Sequence, residues 1–179
     1  MEFRIRRAST GDARSIARVH VDSWRSTYAG IVPDGVLTAL SVDDRAKMWD
    51  KMLAAEDALM FVAEDETGVF GFACGGRLRE ALGSYDAELY AIYLLRESQG
   101  KGAGRSLFQV LVTALQKAGY SSMALWVLKD NSAVRFYQHM RGKGIASKQI
   151  EMGGAQLEEI AFGWPRLDVV IQKETATNV

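Results

Sequence analysis

The chain has 179 residues with 22 basic and 22 acidic side chains, so its formal net charge is zero. That balance provides no global field to draw nucleic acid or an anionic membrane, and a lone cysteine, Cys74, rules out an internal disulfide and suits a reducing compartment. With no apolar run long enough to span a bilayer and no h-region after Met1, one cytoplasmic domain over residues 1–179 is expected, able to bury roughly 70% of its unfolded-state surface without metal or disulfide.

Phe3 to Ala8 reads as a strand. Thr10 or Asp12 caps the next segment, a helix whose apolar row includes Ile16, Val19, Trp24 and Tyr28. Pro33 opens a short helix to about Leu40, and Asp43 or Asp44 caps a third with Met48, Trp49 and Leu53. Strands at Ala58 to Ala63 and Val69 to Leu78 flank a hairpin-type turn, Asp65-Glu66-Thr67-Gly68. A polar connection, Arg79 to Tyr85, leads to a strand from Ala87 to Leu95. The helix that follows runs from Gly102 to Ala118 and places Leu107, Val110, Leu111, Ala114 and Leu115 on one stripe, with Gly119 at its C′ position. A strand from Ser121 to Leu128 comes next, then a helix carrying Ala133, Phe136, Tyr137 and Met140. Strands Ile145 to Met152 and Leu157 to Trp164 are joined by Gly153-Gly154, and the tail after Gln172 reads as loose.

Between the Ala87–Leu95 strand and its helix lies Gln99-Gly100-Lys101-Gly102-Ala103-Gly104. Strand, glycine turn and helix is the layout of an anion site: the first N–H groups of a helix have no partner within it, and its dipole favours negative charge there. Glycines let the backbone approach a pyrophosphate, while Lys101 and Arg105 add positive charge. The spacing is neither G-x-x-x-x-G-K-[ST] nor G-x-G-x-x-G, since Arg105 stands where a third glycine belongs. It disfavours an ATP or NAD site.

What remains, Gln99-x-x-Gly102-x-Gly104, resembles the coenzyme A pyrophosphate signature [Arg/Gln]-x-x-Gly-x-[Gly/Ala] of the GNAT superfamily of N-acetyltransferases. Asn131-Ser132-Ala133-Val134-Arg135-Phe136-Tyr137 is similar to that family's Asn-x-x-Ala-x-x-Phe-Tyr, one residue shorter between Asn and Ala. Leu94-Leu95-Arg96 stands in place of Val-x-Pro, and Met140 to Ile145 departs from the usual Leu-Gly-Phe turn. The resemblance implies an α/β acyl-CoA N-acyltransferase fold: a mixed central sheet, helices on both faces, and a splayed strand pair holding the coenzyme. It implies acetyl-CoA as co-substrate, bound by the backbone from Gln99 through Gly100, Lys101, Gly102, Ala103 and Gly104 to Arg105. Main chain at Ile92, Tyr93 and Leu94 would pair with the pantetheine arm like an added strand, with Asn131 nearby. Dimers are common in the family, which leaves a homodimer open.

Acyl transfer to an amine needs a deprotonated nucleophile, a donor for the oxyanion and a proton source for the leaving thiolate. Glu88 is the first base candidate. Strand alternation puts it on one face with Tyr90, Ile92 and Leu94, and it falls where several family members carry a glutamate base. Burial on a central strand raises a carboxyl towards neutrality, which suits a base acting through water. His20 is the rival, on the row Ile16, His20, Trp24, Tyr28, although a lone histidine on such a face also reads as structural. His139 reads as helix surface and Cys74 as a small buried side chain. Asn131 doubles as a plain helix cap. Trp24, Tyr28, Tyr90 and Trp126 read as core or as an acceptor pocket. By resemblance, Tyr137 faces the coenzyme sulfur as a proton donor. The expected reaction is direct attack of a primary amine, on a small molecule or a peptide, on acetyl-CoA in a ternary complex. A non-catalytic acyl-CoA-binding sensory module is the alternative.

Overall fold

The structure, a computed structural model, describes residues 2–55 and 58–171. The expected loose tail after Gln172 falls outside them. Seven strands form one sheet in the order β1-β2-β3-β4-β5-β7-β6. They are β1 (Arg4–Arg7), β2 (Leu59–Asp65), β3 (Gly68–Arg77), β4 (Ala87–Leu94), β5 (Met123–Leu128), β6 (Lys143–Met152) and β7 (Ala155–Trp164). Neighbours are antiparallel except β4 and β5, which are parallel and connected through a helix. The helices are α1 (Ala13–Thr27), α2 (Asp34–Thr38), α3 (Val42–Ala55), α4 (Ala103–Lys117), α5 (Ala133–His139) and α6 (Asp168–Ile171). The mixed sheet with helices on both faces is as expected; α6 was not anticipated.

Local signals mostly fixed the elements, with informative shifts. Asp12 accepts the Ser9 N–H at 2.8 Å and takes two Arg6 nitrogens at 2.7 and 2.8 Å, tying the start of α1 to β1. Ser41, not Asp43 or Asp44, caps α3: its hydroxyl accepts the Asp44 N–H at 3.2 Å, leaving both aspartates in the first turn, where the helix dipole favours them. On α4 the buried stripe is Leu107, Phe108, Leu111, Val112 and Leu115. It lies one step round from the expected row, so Val110 and Ala114 sit at its margin.

Two cores flank the sheet. Under α4 and α5, Leu107, Phe108, Leu111, Leu125, Phe162 and Trp164 cluster on one face. Between α1, α3 and the other face lie Ile16, Val19, Trp49, Val62 and Phe72. His20 belongs to the second region: its Nδ1 accepts the Trp49 Nε1–H at 3.2 Å and its ring stacks on Tyr93 at 5.2 Å. Burial, aided by Arg45, lowers its pKa to about 4. The imidazole is therefore neutral in the folded chain.

The strand alternation expected along β4 breaks. The β3–β4 register shifts between Cys74 and Gly75, whose partners are Ala91 and Leu89, so Tyr90 is the extra residue of a bulge. Beyond it the faces exchange. Ile92 and Leu94 pack with the α4 core, whereas Tyr90, Ala91 and Tyr93 pack on the α1 side. The expectation that Glu88, Tyr90, Ile92 and Leu94 share a face is thus corrected. Gly75 permits the close approach, since a Cβ there would lie 2.6 Å from the Glu88 carbonyl oxygen.

His20 yields a pH prediction. An unfolded histidine protonates below about pH 6.5, and the folded one only near pH 4. The unfolded state therefore binds the extra proton, and stability falls as pH drops through that window. Urea unfolding should lose about 2 kcal/mol between pH 8 and pH 5 from this group. His20→Gln, which keeps an acceptor for Trp49 and does not titrate, should flatten that limb.

Candidate active site

The site begins where β4 and β5 part. They pair at Ala87↔Met123 and Glu88↔Ala124 and no further. Asp86 pins that junction: its carboxylate accepts N–H and O–H bonds from Ser121 and Ser122 at 2.8–2.9 Å. Burial opposes its charge, yet these four bonds outweigh burial and bring its pKa to about 2. Ser121 and Ser122, expected in the strand, serve this clamp instead. Past Glu88 the β4 edge facing β5 has no strand partner.

A cavity of about 280 Å³ fills the open fork. Ile92, Tyr93 and Leu94 line one side, with Leu125, Trp126 and Val127 opposite, and Asn131, Ala133, Phe136 and Tyr137 close it from the α5 side. Gln99, Gly100 and Gly104 form its mouth. The Gln99 side chain donates to the Leu94 carbonyl at 3.2 Å, holding the loop to the strand end. Gly100 and Gly102 have φ of +73° and +90°, a region costly for any residue with a Cβ, and Gly102 is the N-cap of α4. Gly104 has a different reason: a Cβ would meet Leu94 at 3.4 Å and Phe136 at 3.8 Å. Ala103 is buried, while Lys101 and Arg105 are exposed beside the loop. These last three and Gly102 do not line the cavity.

A second cavity, about 390 Å³, lies on the α1 side of the junction. Trp24, Tyr28, Tyr90 and Trp126 all line it, together with Glu88, Arg79, Lys148 and Glu159. Tyr28, Leu89, Tyr90, Tyr93, Trp126 and Val127 belong to both cavities. The two spaces therefore share a wall.

Glu88 faces the second cavity, 5% exposed, and not the first. The apolar setting expected around it is absent. Arg79 holds both carboxylate oxygens, through Nη2 at 2.5 Å and Nε at 3.1 Å, and the Arg79 N–H adds a third bond at 3.1 Å. The Arg79 guanidinium also lies 4.4 Å over the Tyr90 ring. Lys148 repeats the pattern, 4.2 Å over Trp126 with Glu80 and Glu159 at 3.6 and 3.7 Å. The sequence carries no periodic signal for Arg79 or Lys148; their places follow from the β3–β4 loop and the β6 register.

Tyr137 lines the cleft in the fork, 7% exposed and packed on Phe136, Phe162 and Trp164. Burial pushes its phenol well up, with Tyr28 adding to the effect, so it is a proton holder at neutral pH. Asn131 is buried with both side-chain ends engaged: Oδ1 accepts the Ala133 N–H at 2.8 Å and Nδ2 donates to the Tyr28 hydroxyl at 3.0 Å. His20 lines neither cavity. His139 is exposed, its Nδ1 2.6 Å from the Arg135 carbonyl. Cys74 is buried and its thiol pushed up to about 12, so it is no nucleophile.

A family model described as acetyltransferase (GNAT) family matches residues 20–143. YuaI of Bacillus subtilis (strain 168), described as an uncharacterized N-acetyltransferase, is 41% identical over 167 residues, covering 93% of this chain and 95% of its own. The PaiA N-acetyltransferase of Thermoplasma acidophilum, solved in complex with coenzyme A, superposes with a TM-score of 0.67 at 22% identity over 92% of this chain and 100% of that one. YncA of Salmonella typhimurium, solved with its cofactor acetyl-CoA, gives 0.72 at 23% identity over 94% and 95%. The chain belongs to the GNAT family. By class it is an acetyl-CoA-dependent N-acetyltransferase.

The clamp at the junction gives a stability prediction. Asp86→Ala removes four charge-assisted hydrogen bonds and should cost on the order of 2–3 kcal/mol in chemical denaturation. Asp86→Asn, with one accepting oxygen, should lose about half of that.

Proposed function

We propose that the chain moves an acetyl group from acetyl-CoA to a primary amine by direct attack in a ternary complex. The observation that carries this reading is the pair of cavities sharing one wall at the β4–β5 junction. Coenzyme occupies the fork, as the bound coenzymes of PaiA and YncA suggest by analogy. Its pyrophosphate sits on N–H groups between Gln99 and Arg105, its pantetheine runs along Ile92, Tyr93 and Leu94, and Asn131 borders that arm. The acceptor, a small-molecule or peptide amine, enters the second cavity. We read residues 1–179 as one catalytic domain acting in the cytoplasm. A sensory module would have no use for the second cavity.

The amine nitrogen attacks the thioester carbon, forming the C–N bond and an oxyanion; collapse breaks C–S, and the thiolate leaves with the electron pair. Glu88 receives the amine proton through water, which requires Arg79 to yield one carboxylate oxygen as the acceptor binds. Tyr137 donates a hydrogen bond to the departing sulfur. Its raised pKa makes donation the better description than full transfer, because a thiol near ~8.5 is the stronger acid.

The test is release of free thiol from acetyl-CoA across a panel of amines. Glu88→Gln should lower kcat by roughly 10²–10⁴ while leaving acetyl-CoA affinity nearly intact, and Tyr137→Phe should slow the same step without opening a cavity. Wild-type turnover in Glu88→Gln would move the base to water.

Gly104→Val tests the coenzyme placement. Its Cβ has ordinary contacts at 3.4 Å and beyond, so folding should survive. Its methyl groups narrow the mouth, so the Kd for acetyl-CoA, read by calorimetry, should rise at least about tenfold, a change of about 1.4 kcal/mol.

A further inference from the structure

The shared wall carries a group of polar atoms to which the reaction above gives no role. The Tyr28 hydroxyl lines both cavities. The direction of its hydrogen bond with Asn131 is fixed: Asn131 Oδ1 is taken by the Ala133 N–H, so Nδ2 must be the end that meets Tyr28, and it can only donate. One lone pair of the Tyr28 oxygen is thereby occupied, and its proton is left to point elsewhere.

What surrounds that proton is rich in donors. Burial raises the Tyr93 and Tyr137 phenols, and Tyr28 lies close enough to add to both. Trp24 Nε1, on the acceptor side, is buried without a hydrogen-bond partner among the described residues; it leans towards the Tyr93 hydroxyl without reaching bonding geometry. Three phenols and an indole N–H thus converge, while the amide oxygen of Asn131 is already spent. The Tyr93 hydroxyl donates to the Tyr28 oxygen with the Trp24 N–H behind it, so the Tyr28 proton is the one left without an acceptor in the cluster, and a buried donor left unpaired is costly.

We infer that Tyr28, oriented by Asn131, donates its hydroxyl proton as a hydrogen bond to the acetyl carbonyl oxygen, and that Tyr93 and Trp24, donating in turn behind it, strengthen that donor as negative charge grows there. No proton is transferred. The C–N bond forms, the carbonyl π pair moves onto oxygen and is held by that donor, then returns as C–S breaks. Tyr28 and Tyr93 stand on the wall common to both cavities, where the amine and the thioester must meet. Tyr137 lines only the coenzyme cleft and is left for the sulfur. Burial keeps the Tyr28 phenol protonated for this task.

This inference rests on the ternary-complex reading, and its test separates the two. The carbonyl stretch of acetyl-CoA labelled with ¹³C at the acetyl carbonyl is read by infrared difference spectroscopy on the bound complex, with no acceptor present. In the wild-type chain it should lie below the frequency of free acetyl-CoA. In Tyr28→Phe it should return most of the way, with acetyl-CoA affinity unchanged. Where an amine supports turnover, kcat should fall about 10²-fold with KM for acetyl-CoA held within about threefold. Asn131→Asp is the second arm. Its carboxylate would accept the Tyr28 proton and turn it away from the ligand, so it should reproduce the spectral loss, and the double variant should be no worse than Tyr28→Phe. An unshifted stretch in the wild type, or wild-type stretch and kcat in a folded Tyr28→Phe, would overturn the inference. Absence of turnover with every amine, beside a shifted and Tyr28-dependent stretch, would instead count against the ternary-complex reading.

Discussion

Two residue pairs join β4 to β5, and everything functional depends on there being no more. A parallel ladder that continued would bury the β4 edge in hydrogen bonds and leave no cleft. Asp86 makes the short contact sufficient by gathering four donors from Ser121 and Ser122 just before the first paired residues. The strands beyond can then diverge without unravelling. Their outer partners, β3 and β7, stay paired to them along the fork, interrupted in the β3–β4 ladder only by the bulge at Tyr90. The fork is a rigid opening in a continuous sheet.

The two sides of that opening differ in chemistry. The fork side is largely backbone and apolar surface, with the glycine turn at one end and Tyr137 inside. The other side is dense in charge, with three carboxylates, Glu80, Glu88 and Glu159, to two cations, Arg79 and Lys148. Arg79 rests on Tyr90 and grips Glu88, while Lys148 rests on Trp126 beside Glu80 and Glu159. The carboxylate in excess favours a cationic ligand over an anionic one on this side.

Much of this was legible in the sequence. The glycine spacing, the helix stripe behind it and the Ala-x-x-Phe-Tyr run are local patterns, and local patterns survive folding. What stayed hidden were properties of pairing. Leu89, Tyr90, Ala91 and Ile92 are all apolar or aromatic, so no alternation marks the bulge at Tyr90, and the faces of β4 beyond it were read inverted. Ser121 and Ser122 look like strand residues until Asp86 is seen opposite. The carboxylate of Glu88 was legible as buried but not as gripped, because Arg79 reaches it through a loop whose path no periodicity encodes. His20 has the reverse lesson: its row was right, and the partner that makes it structural, Trp49, lies on another helix.

The Tyr28–Asn131 bond also has a mechanical side. Tyr28 belongs to the helix fastened to the β4 arm, where Ser23 Oγ donates to the Leu94 carbonyl at 2.9 Å. Asn131 follows directly on the β5 arm. Their 3.0 Å contact is a strut between the prongs. A gap braced at fixed width need not be pried open or drawn shut by the molecule that fills it. The entropy of arranging the walls is spent once, on folding, and affinity for an occupant is correspondingly less burdened. The same brace makes width a discriminator: a thicker or branched occupant must bend the sheet itself, not merely displace a loop.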